Sequence, residues 1–114
     1  MKIGQTLYPD APAYIYIARI FGDYYKIGWS MSPKQRAGGL GLSVNDIIHV
    51  IATRSPLQAE AHIHDMLSNC FAHPGELPKE VTHKIRGGLC EIYKLGESEI
   101  TTLKDIREIR TRSQ

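Results

Sequence analysis

Two tyrosines (Tyr14, Tyr16), a lysine and a glycine (Lys26, Gly28) and an arginine (Arg36) follow one another at short intervals. If 14–17 and 25–28 lie on paired strands and the next turn folds a helix across them, a phenol, an amine and a guanidinium converge. That grouping suits a phosphodiester. Arg and Lys stabilise its charge, and a water deprotonated by a Tyr or its neighbour can attack it.

A second chemical signal stands on a helix expected from Ser55-Pro56 to about Phe71. With Glu60 at zero and ~100° per residue, Leu57 falls near ~60°, Ile63 near ~300°, Leu67 near ~340° and Phe71 near ~20°. Glu60 therefore lies in the middle of the apolar stripe, with His64 beside it at about 40°. Gln58, His62, Asp65 and Asn69 fall on the opposite face. A carboxylate aimed at a core needs a partner, a metal or a raised pKa. Either Glu60 serves the helix dipole or a structural Arg, or it faces a cleft and holds a divalent cation as a hard oxygen ligand. His64, one turn on, suits proton handling or an orienting role. His62 and His64 are two apart and point to different faces, and no cysteine pair has zinc spacing.

These residues must be positioned by strands and helices that the pattern also predicts. Residues 13–20 alternate with strand period, Phe21-Gly22-Asp23 is a turn, and 24–29 pairs back as a hairpin. Period two puts Tyr14, Tyr16 and Ala18 on one face, and Tyr24, Lys26 and Gly28 together on one face of the partner. Ser32-Pro33 starts a short helix that stops at Gly38-Gly39. Residues 46–53 read as a strand in the buried middle of a sheet. Residues 72–89 read as a long loop with a helical turn near 79–84, and 90–95 as a short strand. An amphipathic helix follows from Ser98 to about Arg110, with Ile100, Leu103, Ile106 and Ile109 inward. Gly38-Gly39-Leu40-Gly41 lacks the Gly-Lys-Ser/Thr of a phosphate loop. The expected whole is one α/β (α+β) domain over 1–114: an irregular arm at 1–12, a core at 13–95 and a C-terminal helix at 98–112. Its sheet is small, mostly antiparallel and three-stranded, flanked by helices.

Composition narrows the classes. No apolar run approaches the ~20 residues that cross a bilayer, and the first residues carry no signal-peptide core, so the expectation is a cytoplasmic protein with no membrane partner. Cys70 and Cys90 read as reduced core residues. A net charge of +2 is low for a dedicated DNA-binding domain, so any DNA-binding face must be local.

The order and spacing of these motifs resemble the GIY-YIG nuclease superfamily, in particular its small phage-borne branch often described as a DNA-binding domain. Tyr14-Ile15-Tyr16 stands for the first motif, with Tyr16 at its tyrosine and Tyr14 in place of its glycine. Lys26-Ile27-Gly28 stands for the second, with Lys26 where many members carry tyrosine. Arg36, eight residues past Gly28, matches the family arginine, Glu60 its metal-binding glutamate, and Gly88-Leu89-Cys90-Glu91-Ile92-Tyr93 its late segment. The late asparagine of several members has no counterpart. The resemblance spans roughly 13–95.

It implies a DNA endonuclease of a bacterial or phage-infected cell that uses Mg²⁺ (or Mn²⁺). Glu60 would hold the metal, Arg36 would neutralise charge on the scissile phosphate, and Tyr16 would orient or deprotonate water. Lys26 would favour the phenolate. The competing expectations are a non-catalytic DNA-binding module on the same scaffold and a phage accessory protein that binds a host protein.

Overall fold

A computed structural model describes residues 13–110; the expected arm at 1–12 lies outside them. The chain runs β1 (Ala13–Phe21), β2 (Tyr24–Ser30), α1 (Pro33–Gly39), β3 (Ile47–Thr53), α2 (Pro56–Met66), α3 (Lys79–Lys84), β4 (Ile92–Lys94), α4 (Glu97–Lys104) and β5 (Glu108–Ile109). Short 3-10 turns stand at Val44–Asp46, Ser68–Cys70, Pro74–Glu76 and Leu89–Glu91. The class is α+β with a mostly antiparallel sheet. The sheet has five strands in the order β4-β2-β1-β3-β5, not the expected three.

The alternation of aromatic and aliphatic residues in β1 has a plain cause. The strand is central and both of its faces are covered. Ile15 and Ile17 join Ile27 and Ile51 against Ala59 and Ile63 of α2 and Leu103 of α4. On the other face Tyr16 and Ala18 pack with Ala37 of α1, Val81 of α3, and Leu40, Leu42, Ile85 and Ile92. Burial of each large apolar side chain contributes about 1.5–3 kcal/mol, so the two layers clamp β1 from both sides. The strand expected in the middle, β3, is half-buried along much of its length, and Val50 is exposed.

The extra strands arise where edges would otherwise go unpaired. The helix expected to reach Arg110 ends at Lys104. The chain then bends so that β5 runs parallel to β3, pairing Ala52 with Glu108 and Thr53 with Ile109. The Ala52 N–H donates to the Arg107 carbonyl at 3.0 Å, and His49 Nε2 lies 2.6 Å from the Ile106 carbonyl oxygen. Ile106 and Ile109 still pack against the core, so one apolar spacing is satisfied by a bend and a strand instead of a third helical turn. Positions 111 and 112 of that expected helix lie outside the described residues.

The helix expected to reach Phe71 likewise stops at Met66. Ser68 and Asn69 favour the helix weakly, and Phe71 bridges to Tyr93 of β4 instead. The helical turn expected near 79–84 forms as α3. Cys70 and Cys90 are free thiols, but Cys90 is exposed and is not a core residue. No helix among the described residues is long and apolar enough to cross a membrane.

Candidate active site

The hairpin register sets the first half of the site. Tyr16 stands opposite Gly28, and Ala18 opposite Lys26, so these side chains share the face that α1 and α3 cover. The small Ala18 leaves room for the lysine stem. The Tyr16 ring crosses the space a side chain at 28 would need: a Cβ there would lie 2.7 Å from the phenol oxygen and 3.0 Å from Cζ. Tyr16 is fully buried.

The Tyr16 hydroxyl has no hydrogen-bond partner among the described residues. Burial pushes its pKa up to about 12. The Arg36 guanidinium pulls it down, and Glu91 and Glu60 push it up. Arg36 sits in the last turn of α1 and is exposed. It biases the phenol by its charge and, more weakly, by a loose hydrogen-bonding approach of its side chain.

Lys26 is 3 % exposed, which is unusual for an ammonium and requires a partner. The partner is Glu91, which receives the Lys26 ammonium on Oε1. Glu91 ends the 3-10 turn that follows Gly88, whose φ of +67° is left-handed. A Cβ at 88 would also lie 3.0 Å from both Cε and Nζ of Lys26. Gly88 thus serves twice, turning the chain into Glu91 and giving Lys26 its channel. Lys26 is held by a carboxylate, and the cation that pulls the Tyr16 pKa down is Arg36, which burial outweighs.

Glu60 and His64 come from α2, on the other face of the sheet. The inward stripe of α2 is Pro56, Ala59 and Ile63, continued by Leu67 beyond its end, while Leu57 is 58 % exposed. The centre of that stripe lies ~55° from Glu60, so Glu60 occupies its flank and not its middle. That position leaves the carboxylate half-buried. The groups from the two faces meet beside β2. β4 pairs with β2 only from Tyr24 to Lys26, and Glu91 immediately precedes β4 at that limit.

His64 is fixed at one nitrogen and open at the other. Nδ1 hydrogen-bonds with the Tyr93 hydroxyl, and the two rings stack with centroids 5.2 Å apart. Phe71 braces Tyr93 edge-on at 5.6 Å. Nε2 is buried without a hydrogen-bond partner among the described residues and lies 3.7 Å from Glu60 Oε2. Tyr93 has its own pKa pushed up to about 12, by burial first and then by Glu91 and Glu60. One donor atom each from Glu60, His64 and Glu91 lies within 4.8 Å of the others.

All five residues singled out in the sequence therefore belong to one neighbourhood: Tyr16, Lys26, Arg36, Glu60 and His64. Glu91, Tyr93 and Gly88 complete it and were not singled out for roles. Their signal was the late segment 88–93, together with the need of a buried Lys26 for an anion. The arrangement sets a guanidinium, a neutral phenol and two carboxylates around one point, which equips it to grip a phosphate and a divalent cation together. Comparison with protein-family models, with curated proteins and with solved structures gives no match.

Proposed function

We propose that the chain is a GIY-YIG-type endonuclease that hydrolyses DNA phosphodiester bonds with Mg²⁺ or Mn²⁺ and acts in the cytoplasm. The observation that carries this reading is the fully buried Tyr16 hydroxyl. It has no close hydrogen-bond partner among the described residues, and its ionisation is opposed first by burial and biased by Arg36 on one side and by Glu91 and Glu60 on the other. A buried orphan hydroxyl is costly, and its cost is offset when substrate or water completes the site.

The residues fit a hard cation, since Glu60 and Glu91 offer carboxylate oxygens close to each other and near enough to Tyr16 to raise its pKa. When bound, a divalent cation supplies Lewis-acid neutralisation of the phosphodiester. Glu60 would hold it. Arg36 binds the phosphate and opposes the charge that grows on it. Tyr16, with a pKa near 12, is a neutral hydroxyl at physiological pH; it orients the attacking water by hydrogen bonding and does not remove its proton. The attacking water gives its proton to solvent, and His64 Nε2 stands beside Glu60, 3.7 Å from its Oε2. Lys26 holds Glu91 in place.

Pure protein incubated with supercoiled and with branched DNA tests this reading. Cleavage with Mg²⁺ or Mn²⁺ that chelator abolishes is the expected result, and no cleavage of any form rejects it. One observation favours a second reading, a non-catalytic DNA-binding module: Lys26 is neutralised by Glu91, and the phenol is held far from ionisation. Salt-sensitive duplex binding without cleavage under both metals would select that module.

A further inference from the structure

We infer that Glu60, His64 and Glu91 form a mixed nitrogen–oxygen metal site that holds Mn²⁺ in preference to Mg²⁺, with Tyr93 as the positioning residue that turns His64 towards it. This deepens the nuclease reading and rests on it only for what the cation does.

The donors are nearly at bonding separation. With ligand bonds of about 2.0–2.2 Å, two donors of one ion stand at most about 4.4 Å apart. The three donor atoms here lie within 4.8 Å of one another, so side-chain movements of up to about an ångström close the set. Glu60 and His64 are one helical turn apart on a rigid helix, and Glu91 arrives from the turn that Gly88 shapes. Lys26 takes Oε1 of Glu91, which leaves Oε2 for a cation.

Two buried polar atoms point to something held there. His64 Nε2 has no hydrogen-bond partner among the described residues although it is buried. The hydrogen bond of Nδ1 to Tyr93 permits the tautomer in which Nδ1–H donates to the tyrosine oxygen and the Nε2 lone pair faces Glu60. A ring nitrogen tied back in this way is the usual support of a metal-binding histidine. The second atom is the Tyr16 hydroxyl, fully buried without a close hydrogen-bond partner among the described residues, whose pKa both carboxylates raise.

The nitrogen decides the preference. Mg²⁺ takes oxygen ligands and keeps several waters, so it uses the carboxylates and gains little from His64. First-row transition cations accept imidazole readily. His62, exposed on the far side of α2, offers no such set.

Titration of the intact protein with Mn²⁺ and, separately, with Mg²⁺ tests this by calorimetry. His64→Ala should lower Mn²⁺ affinity about 10–100-fold and leave Mg²⁺ affinity nearly unchanged, and Tyr93→Phe should cost Mn²⁺ about ten-fold. A wild-type measurement guards against variants that misfold: substoichiometric Mn²⁺ should broaden the His64 imidazole resonances before those of His62 and His73. Equal affinity for the two cations, broadening that begins at His62 or His73, or a His64→Ala protein that titrates like the wild type would overturn the site. Mn²⁺ binding at His64 without DNA cleavage supports this site and removes the nuclease reading. Cleavage without any His64 dependence of metal affinity does the reverse.

Discussion

Tyr16 occupies the space in front of Gly28, so closely that a Cβ at 28 would sit 2.7 Å from the phenol oxygen. The pairing of these two residues across the hairpin ties the position of the hydroxyl to the absence of a side chain two residues beyond Lys26. Tyr16 is fully buried, so its ring has little room to yield.

Gly28→Ala should therefore displace the phenol as well as destabilise the fold. Overpacking of this kind costs about 1–3 kcal/mol, read by denaturant unfolding. Under the nuclease reading cleavage falls as well, by more than in Tyr16→Phe, because the misplaced ring also crowds the site. A Gly28→Ala protein with wild-type stability and wild-type cleavage would show that the close approach has no consequence.

The Lys26–Glu91 pair predicts an asymmetry. The side chain of Lys26 is 3 % exposed and that of Glu91 35 %. Glu91→Gln strands a buried ammonium and should cost on the order of 3–5 kcal/mol. Lys26→Met strands a carboxylate that can turn to water, and should cost clearly less. The double variant should recover part of the Glu91→Gln loss. Equal costs for the two single variants would mean that Lys26 escapes to solvent when its partner is removed.

Much of this neighbourhood was legible before the fold was known, and the reasons are local. Strand period put Tyr16, Lys26 and Gly28 on one face because β1 and β2 pair without a shift between Tyr14 and Arg19. Ser-Pro steps before α1 and α2 marked helix starts through the fixed φ of proline. Other features depended on partners distant in sequence. Ile106 and Ile109 have helical spacing, yet they enter a strand because the edge of β3 offers hydrogen bonds. Leu57 looked inward on the wheel, but the buried stripe centres on Ala59 and Ile63, which face Ile15 and Ile17. Glu91 gains its importance from a lysine 65 positions away, and no local pattern announces that. The pairing of His64 with Tyr93 is hidden for the same reason.

The two raised tyrosine pKa values predict a loss of stability at high pH. A phenol whose folded value is raised from 10.0 to about 12 favours the neutral form in the fold. The contribution is fully present below pH 10 and is lost as pH rises from about 10 to 12. Each shift corresponds to on the order of 2–3 kcal/mol. Absorbance at 295 nm should show at least two of the six tyrosines ionising late and together with unfolding. Tyr16→Phe should remove one of them. Complete ionisation of all six by pH 11 with the fold intact would contradict the burial of both hydroxyls.

Under the nuclease reading, Glu60 and Arg36 should separate chemistry from binding. Glu60→Ala removes the carboxylate that would hold the cation, and it touches none of the cationic groups on which phosphate affinity rests. It should lower kcat by at least about 10²-fold with duplex affinity nearly intact. Arg36 is exposed at the end of α1 and acts by charge, so Arg36→Ala should lower both cleavage and affinity. The salt dependence of binding should become shallower as well, its slope falling by about one for each phosphate that is no longer neutralised. Binding titrations at two salt concentrations, run beside the cleavage assay, read all three quantities. A Glu60→Ala protein that cleaves like the wild type removes the metal role of Glu60. An Arg36→Ala protein that binds and cleaves normally would place the phosphate elsewhere on the surface.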